Sequence, residues 1–150
     1  MSRFVPYVLH EHNSYGRSRL HYDLRMLYPF PKKGNPVISF ALPKHRIPDI
    51  HEKMLVIQGH DHEKFWLTVD NYEVPAGEFG HGFIKILQQG KMEILGWSEK
   101  QITFIVKGRI MNGKFTLLRP AMFKFQDEER LKKNPNAGKQ WLFIRAEDPK

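Results

Sequence analysis

The sequence predicts a mainly β fold, a compact antiparallel β-barrel with long loops and one or two short helices. Three observations predict it. Apolar residues recur in short runs, several alternating with period two, as in Ile102-Thr103-Phe104-Ile105-Val106 and Lys114-Phe115-Thr116-Leu117. Turn-forming clusters separate the runs, at Pro31-Lys32-Lys33-Gly34-Asn35-Pro36, Pro75-Ala76-Gly77, Gln89-Gly90 and Asn112-Gly113. Helical periodicity is scarce, which leaves about ten short strands and hence a barrel or sandwich with mostly antiparallel pairing.

In chain order the strand candidates begin with Phe4–Leu9, Leu20–Leu27, Val37–Leu42, Met54–Gln58 and Phe65–Val69. They continue with Gly82–Leu87, Lys91–Trp97, Gln101–Lys107, Gly113–Leu118 and Gln140–Ala146. Asn112-Gly113 is the dipeptide a tight hairpin prefers, because both central residues need positive φ. Asp127–Lys133 is the helix candidate, with Asp127 as its cap. No repeat, low-complexity tract or linker divides the chain, so one domain over residues 1–150 is expected. At that length roughly 70% of the extended-chain surface can be buried without staples.

Composition narrows the function classes. Apolar residues make up 41% of the chain and aromatics 13%, too many for a disordered tail. The absence of cysteine excludes a disulfide scaffold, thiolate zinc sites, a catalytic cysteine and iron–sulfur ligation. The net charge is +8, unevenly spread. Residues 1–50 carry 8 Lys/Arg against 3 Asp/Glu, residues 51–100 carry 5 against 8, and residues 101–150 carry 11 against 5. A basic surface favours polyanions by counterion release, so nucleic acid or a phosphorylated ligand leads the partner list. The first residues lack a signal-peptide pattern, and no apolar run approaches the roughly 20 residues that span a bilayer. A soluble, cytoplasmic protein without a membrane partner is expected.

Eight histidines stand at positions 10, 12, 21, 45, 51, 60, 62 and 81. The informative segment is Arg19-Leu20-His21-Tyr22-Asp23-Leu24-Arg25. Read as a strand, it sends His21, Asp23 and Arg25 to one face and Leu20, Tyr22 and Leu24 to the other. Alternate residues lie roughly 6.5–7 Å apart, so imidazole and carboxylate can converge on one cation. Arg25 then faces an anion held there, and its fork matches phosphate oxygens. A lone H-x-D is also compatible with a plain polar face carrying an Asp–Arg pair. His10 and His12 alternate in the same way at the end of the first strand, and a second same-face pair makes a mononuclear N/O site. Without thiolates the candidate metals are Mn, Fe, Co, Ni or Zn. His60-Asp61-His62 and the glycine-rich loop Val74–Gly82 complete the set of unusual segments, although a simple hairpin connection explains the loop equally well.

These residues resemble a known family, the 3′-phosphoesterase domain of bacterial DNA ligase D and its stand-alone archaeal and bacterial relatives. The resemblance starts at Tyr7-Val8-Leu9-His10-Glu11-His12 and Ser18-Arg19-Leu20-His21-Tyr22-Asp23-Leu24-Arg25. It runs on through Ser39-Phe40-Ala41-Leu42-Pro43-Lys44, Asp61-His62 and Val74-Pro75-Ala76-Gly77-Glu78-Phe79-Gly80-His81-Gly82. Gly113–Arg119 and Lys139–Ile144 look like the family's closing strands. Several motifs in the right order over most of the chain make the resemblance specific.

The resemblance implies a compact barrel with its active site in a crescent-shaped groove, and a divalent metal, typically Mn²⁺, with Co²⁺ or Zn²⁺ as alternatives. It implies removal of a 3′-terminal ribonucleoside and then of the 3′-phosphate, leaving a 3′-hydroxyl for repair and end joining. It puts the metal on His12, His21 and Asp23. It puts Arg25, Lys44 and His62 on the scissile phosphate as catalytic groups, with Lys53 at a further basic position. The implied partners are the 3′ ends of DNA or RNA–DNA primer–templates, together with a separate DNA ligase or polymerase. The protein itself is expected to be a monomer.

Three departures mark this chain. The family usually separates its first metal histidine from the H-x-D histidine by five residues, against eight between His12 and His21. The extra residues around Asn13-Ser14-Tyr15-Gly16-Arg17 are expected to bulge outward, and His10 stays open as an alternative ligand. Lys53 stands where the family has arginine and loses its fork. Trp66 stands where it has tyrosine and has no hydroxyl.

Two rival readings share some of these residues. His21-x-Asp23 followed by His81 resembles the H-x-D…H triad of iron(II) oxygenases. A non-catalytic nucleic-acid-binding barrel would use Phe40, Phe65, Trp66 and Phe79 for stacking and Lys/Arg for phosphates.

Overall fold

The computed structural model describes residues 3–15, 20–78, 81–120 and 139–146. Nine strands follow in chain order: β1 (Arg3–Ser14), β2 (Leu20–Leu27), β3 (Val37–Leu42), β4 (Lys53–Gln58), β5 (Tyr72–Val74), β6 (Gly82–Trp97), β7 (Gln101–Val106), β8 (Gly113–Leu118) and β9 (Gln140–Arg145). Eight of them close an antiparallel barrel in the order β1-β2-β3-β4-β9-β8-β7-β6, with β6 pairing back onto β1. The ninth, β5, lies along the first residues of β6. The expected antiparallel barrel is therefore the fold observed.

Alternation builds the interior. Val5, Tyr7 and Leu9 of β1, Leu24 and Met26 of β2, Phe40 of β3, and Met54 and Val56 of β4 share one core cluster. Ile102 and Phe104 of β7, Phe115 and Leu117 of β8, and Trp141 and Phe143 of β9 complete it. Phe104, Phe115 and Phe143 pack ring against ring, with centroids 5.2–6.3 Å apart. Each such buried ring contributes roughly 1.5–3 kcal/mol from area burial alone.

Four local expectations are corrected. The run Phe65–Val69 is not a strand: Lys64–Leu67 forms one 3₁₀ turn. Leu67 and Val69 find burial outside the barrel instead, Leu67 against Val8 and Val37 and Val69 against Val74 and Ile84, while Phe65 stays exposed. Gln89-Gly90 is not a turn, because β1 supplies a ladder along almost the whole of β6. The register shifts where Leu9 faces Gln88 and His10 faces Ile86, leaving Leu87 as a bulge that lets the long strand bend. Asn112-Gly113 is not a two-residue hairpin: β7 ends at Val106, and Gly113 already opens β8. Val74, read as the first residue of the glycine-rich loop, instead ends the short β5 with Tyr72 and Glu73. The helix expected at Asp127–Lys133 lies outside the described residues. No helix among the described residues is long and apolar enough to cross a membrane.

Candidate metal centre and groove

The site is built by the β1–β2 ladder. Its register sets His10 opposite Asp23 and His12 opposite His21. Since Leu9 and Leu24 point into the barrel, their neighbours His10, His12, His21, Asp23 and Arg25 project from its outer face. There they are covered rather than solvated, all less than 9% exposed. Together with Ser39, opposite Arg25 on β3, they are all the buried polar residues among the described ones. The cover comes from the 3₁₀ turn and β5, whose apolar residues pack on this face of β1 and β6.

The longer spacing between His12 and His21 is absorbed without disturbing the pair. Asn13 stays in the ladder opposite Leu20, and Asn13 and Ser14 also pair with Phe83 and Gly82 of β6. The expected outward bulge is therefore absent at Asn13 and Ser14, where the strand is simply longer; Gly16 and Arg17 lie outside the described residues. Residues added beyond a directly opposed pair lengthen the connection and leave the pair's geometry alone.

Ligand atoms of His12, His21 and Asp23 lie within 4.8 Å of one another. His12 Nδ1 is 3.3 Å from Asp23 Oδ2 and His21 Nε2 is 3.3 Å from Asp23 Oδ1, so both rings aim a nitrogen at the carboxylate. Burial by itself raises the Asp23 pKa, but the Arg25 charge and the His12 and His21 hydrogen bonds outweigh it and hold the carboxyl well below the usual range. An ionised carboxylate converging with two imidazoles is a donor set that fits a borderline divalent cation. His81, needed for the H-x-D…H reading, is not a member of this group.

Arg25 lies beside the trio. Its Nη2 is 3.5 Å from Asp23 Oδ2, and its Nη1 donates to His10 Nδ1 at 2.6 Å. The guanidinium carbon sits 5.5 Å from the centre of the Trp66 ring. Next along is His62, stacked on His60 with centroids 4.4 Å apart and edge-on to Trp66 at 5.6 Å. Burial, then the charges of Arg25 and His60, lower the His62 pKa to about 4. His62 is therefore a neutral imidazole at pH 7.

These residues line one groove of about 1120 Å³. His12, His21, Asp23, Arg25, Ser39, His60, His62 and Trp66 all contribute to it, as do Tyr15, Glu78, His81 and Lys139. Lys44 and Lys53 do not line it. Lys44 is exposed just beyond the lining residue Pro43, its ammonium 3.9 Å from Glu52 Oε2. Lys53 is exposed on β4, opposite Ile144. Local pattern in the sequence does not reveal Lys139, because only the pairing of β4 with β9 carries it to the groove. The part of Trp66 under Arg25 is equally hidden, since 40 residues separate them in the chain.

A family model described as the DNA ligase D 3′-phosphoesterase domain matches residues 10–119. No curated protein matches the chain.

Proposed function

The chain belongs to the DNA ligase D 3′-phosphoesterase domain family, and from that premise we propose that it clears blocked 3′ ends of nucleic acid with a divalent cation held by His12, His21 and Asp23. The observation that carries this reading is the convergence of those three buried residues beside Arg25 in an open groove. Mn²⁺ is the cation we propose, with Co²⁺ or Zn²⁺ as substitutes. The substrates are a 3′-terminal ribonucleoside and then the 3′-phosphate left behind, giving a 3′-hydroxyl that a DNA ligase or polymerase in the cytoplasm can use.

The chain's own residues divide the work. A cation in this site supplies Lewis-acid stabilisation of phosphate charge and a more acidic water. Arg25 offers N–H donors to the equatorial phosphate oxygens, where charge builds as the ester bond breaks. His62, a neutral imidazole, donates a hydrogen bond toward the leaving oxygen. Trp66 packs on the guanidinium and restricts its swing. Lys44 at the rim contacts a backbone phosphate further from the cleaved bond, and Lys53 adds to the basic surface. None of the lining residues is an activated serine or cysteine, so attack is direct, by water or by a 2′-hydroxyl of the terminal ribonucleotide.

The test is a labelled primer–template ending in one ribonucleotide, incubated with and without Mn²⁺. Release of a nucleoside followed by a 3′-hydroxyl product, in the presence of Mn²⁺ only, is the expected result. Binding without any metal-dependent product would leave the nucleic-acid-binding barrel as the better reading.

A further inference from the structure

We infer that His10 is a positioning residue for Arg25, and that the metal trio excludes it. This rests on reading the groove as a phosphate site. His10 points to the same outer face as His12 and is fully buried, so spacing alone leaves either histidine eligible as a ligand. Hydrogen bonding separates them. His10 Nδ1 accepts from Arg25 Nη1 at 2.6 Å, and His10 Nε2 donates to the Val69 carbonyl at 2.7 Å. Because guanidinium nitrogens only donate and carbonyl oxygens only accept, the ring is neutral with its proton on Nε2. Both nitrogens are committed, and neither has a lone pair to give a cation.

The arrangement has a consequence for charge. Arg25 is buried and its carboxylate partner, Asp23, is also the proposed metal ligand. A second carboxylate against Arg25 would cancel the positive charge that an incoming phosphate needs. A neutral imidazole holds the guanidinium by a hydrogen bond without cancelling it. Two of the guanidinium's five N–H groups are occupied by His10 and Asp23, and Nε has no hydrogen-bond partner among the described residues. Val69 follows the 3₁₀ turn that carries Trp66. His10 therefore fastens the arginine to the segment that covers it.

Two measurements test the assignment. In long-range ¹H–¹⁵N spectra of the wild-type protein, His10 should show a protonated Nε2 and an acceptor Nδ1 that stays unmetallated on adding Zn²⁺. A Zn²⁺-bound His10 nitrogen would overturn it. Inorganic phosphate is then titrated into the Zn²⁺-loaded protein and its variants. His10→Gln, whose amide can accept from Arg25 and donate to Val69, should bind phosphate within about threefold of wild type, whereas His10→Leu and His10→Glu should weaken it about 10–100-fold. Zn²⁺ affinity should be unchanged in all three. Wild-type phosphate affinity in His10→Leu would overturn the inference, as would loss of Zn²⁺ affinity in a folded variant. If His10→Leu does not fold, a His10→Gln protein no better than His10→Glu overturns it instead. Hydrolysis of a 3′-phosphorylated primer by the wild type is measured separately. An inert wild type with the predicted spectra and phosphate binding would sink the enzymatic reading and leave His10's role standing.

Discussion

His12 and His21 face each other directly across the β1–β2 ladder, their ring centroids 4.8 Å apart and Asp23 within 3.3 Å of each. A cation seated among them would be held by two adjacent strands of a closed barrel. Neither strand can shift without breaking the ladder.

Removing one ligand should therefore remove the metal rather than relocate it. His12→Ala and Asp23→Asn are each expected to lower Mn²⁺ affinity by at least about 100-fold, with a matching loss of phosphate release. Salt-sensitive binding to a DNA end should persist, because the basic surface is untouched. Titration calorimetry and a 3′-phosphatase assay check both halves. Full Mn²⁺-dependent hydrolysis by Asp23→Asn would refute the proposed ligand set.

Trp66 holds Arg25 by a ring face, the guanidinium carbon 5.5 Å from the ring centre. A cation–π contact of this kind is worth about 0.5–2 kcal/mol, so Trp66→Ala should raise KM for a 3′-phosphorylated end about 2–30-fold. Trp66→Phe keeps a ring and should recover most of that loss. Equal KM values in the two variants would show that the ring has no such part.

Gly82 has a backbone role. It opens β6 at φ +156°, and a Cβ there would sit 2.2 Å from the Asn13 carbonyl oxygen and 2.8 Å from Ser14 Cα. Both are backbone atoms of the extension of β1 beyond His12, so nothing soft can give way. Gly82→Ala is expected to destabilise the fold by about 1–3 kcal/mol. Chemical denaturation at pH 7 measures it, and an unchanged midpoint would contradict the close approach.

The pH dependence of stability follows from two neutral histidines, His10 fully buried and His62 half-buried. Burial, followed by the Arg25 charge, lowers His10 and His62 each to about 4, against about 6.5 in the unfolded chain. The unfolded state therefore binds more protons between those values. Stability is fully present above about pH 6.5 and is lost as pH falls toward 4, by roughly 1–3 kcal/mol for each histidine. Asp23, depressed below its unfolded value, adds loss only at still lower pH. Urea midpoints at pH 7, 5.5 and 4.5 with chelator present should fall in that order. A flat profile would mean that folding does not hold the two rings neutral.

How much was legible in the sequence differs from one residue to the next. β2, β3 and β8 have the bounds their alternation implies, because which face a side chain takes is a matter of local backbone stereochemistry. Phe65–Val69 misled because hydrophobicity reports that a run will be buried and is silent on where. A barrel has an outer face that a covering segment can dry as effectively as the core.

The same division holds for the site. The sequence by itself determined that His21, Asp23 and Arg25 share a face, since that follows from period two within one strand. It also determined that no thiolate from this chain can hold a metal here, because the chain has no cysteine. Only the tertiary structure decided that this face is the outer one, that His12 joins the trio while His10 turns to Arg25 and Val69, and that Lys139 lines the groove where Lys44 and Lys53 do not. Those facts depend on ladder register and on contacts between segments tens of residues apart. No local spacing encodes them: the closing of the barrel sets them all at once.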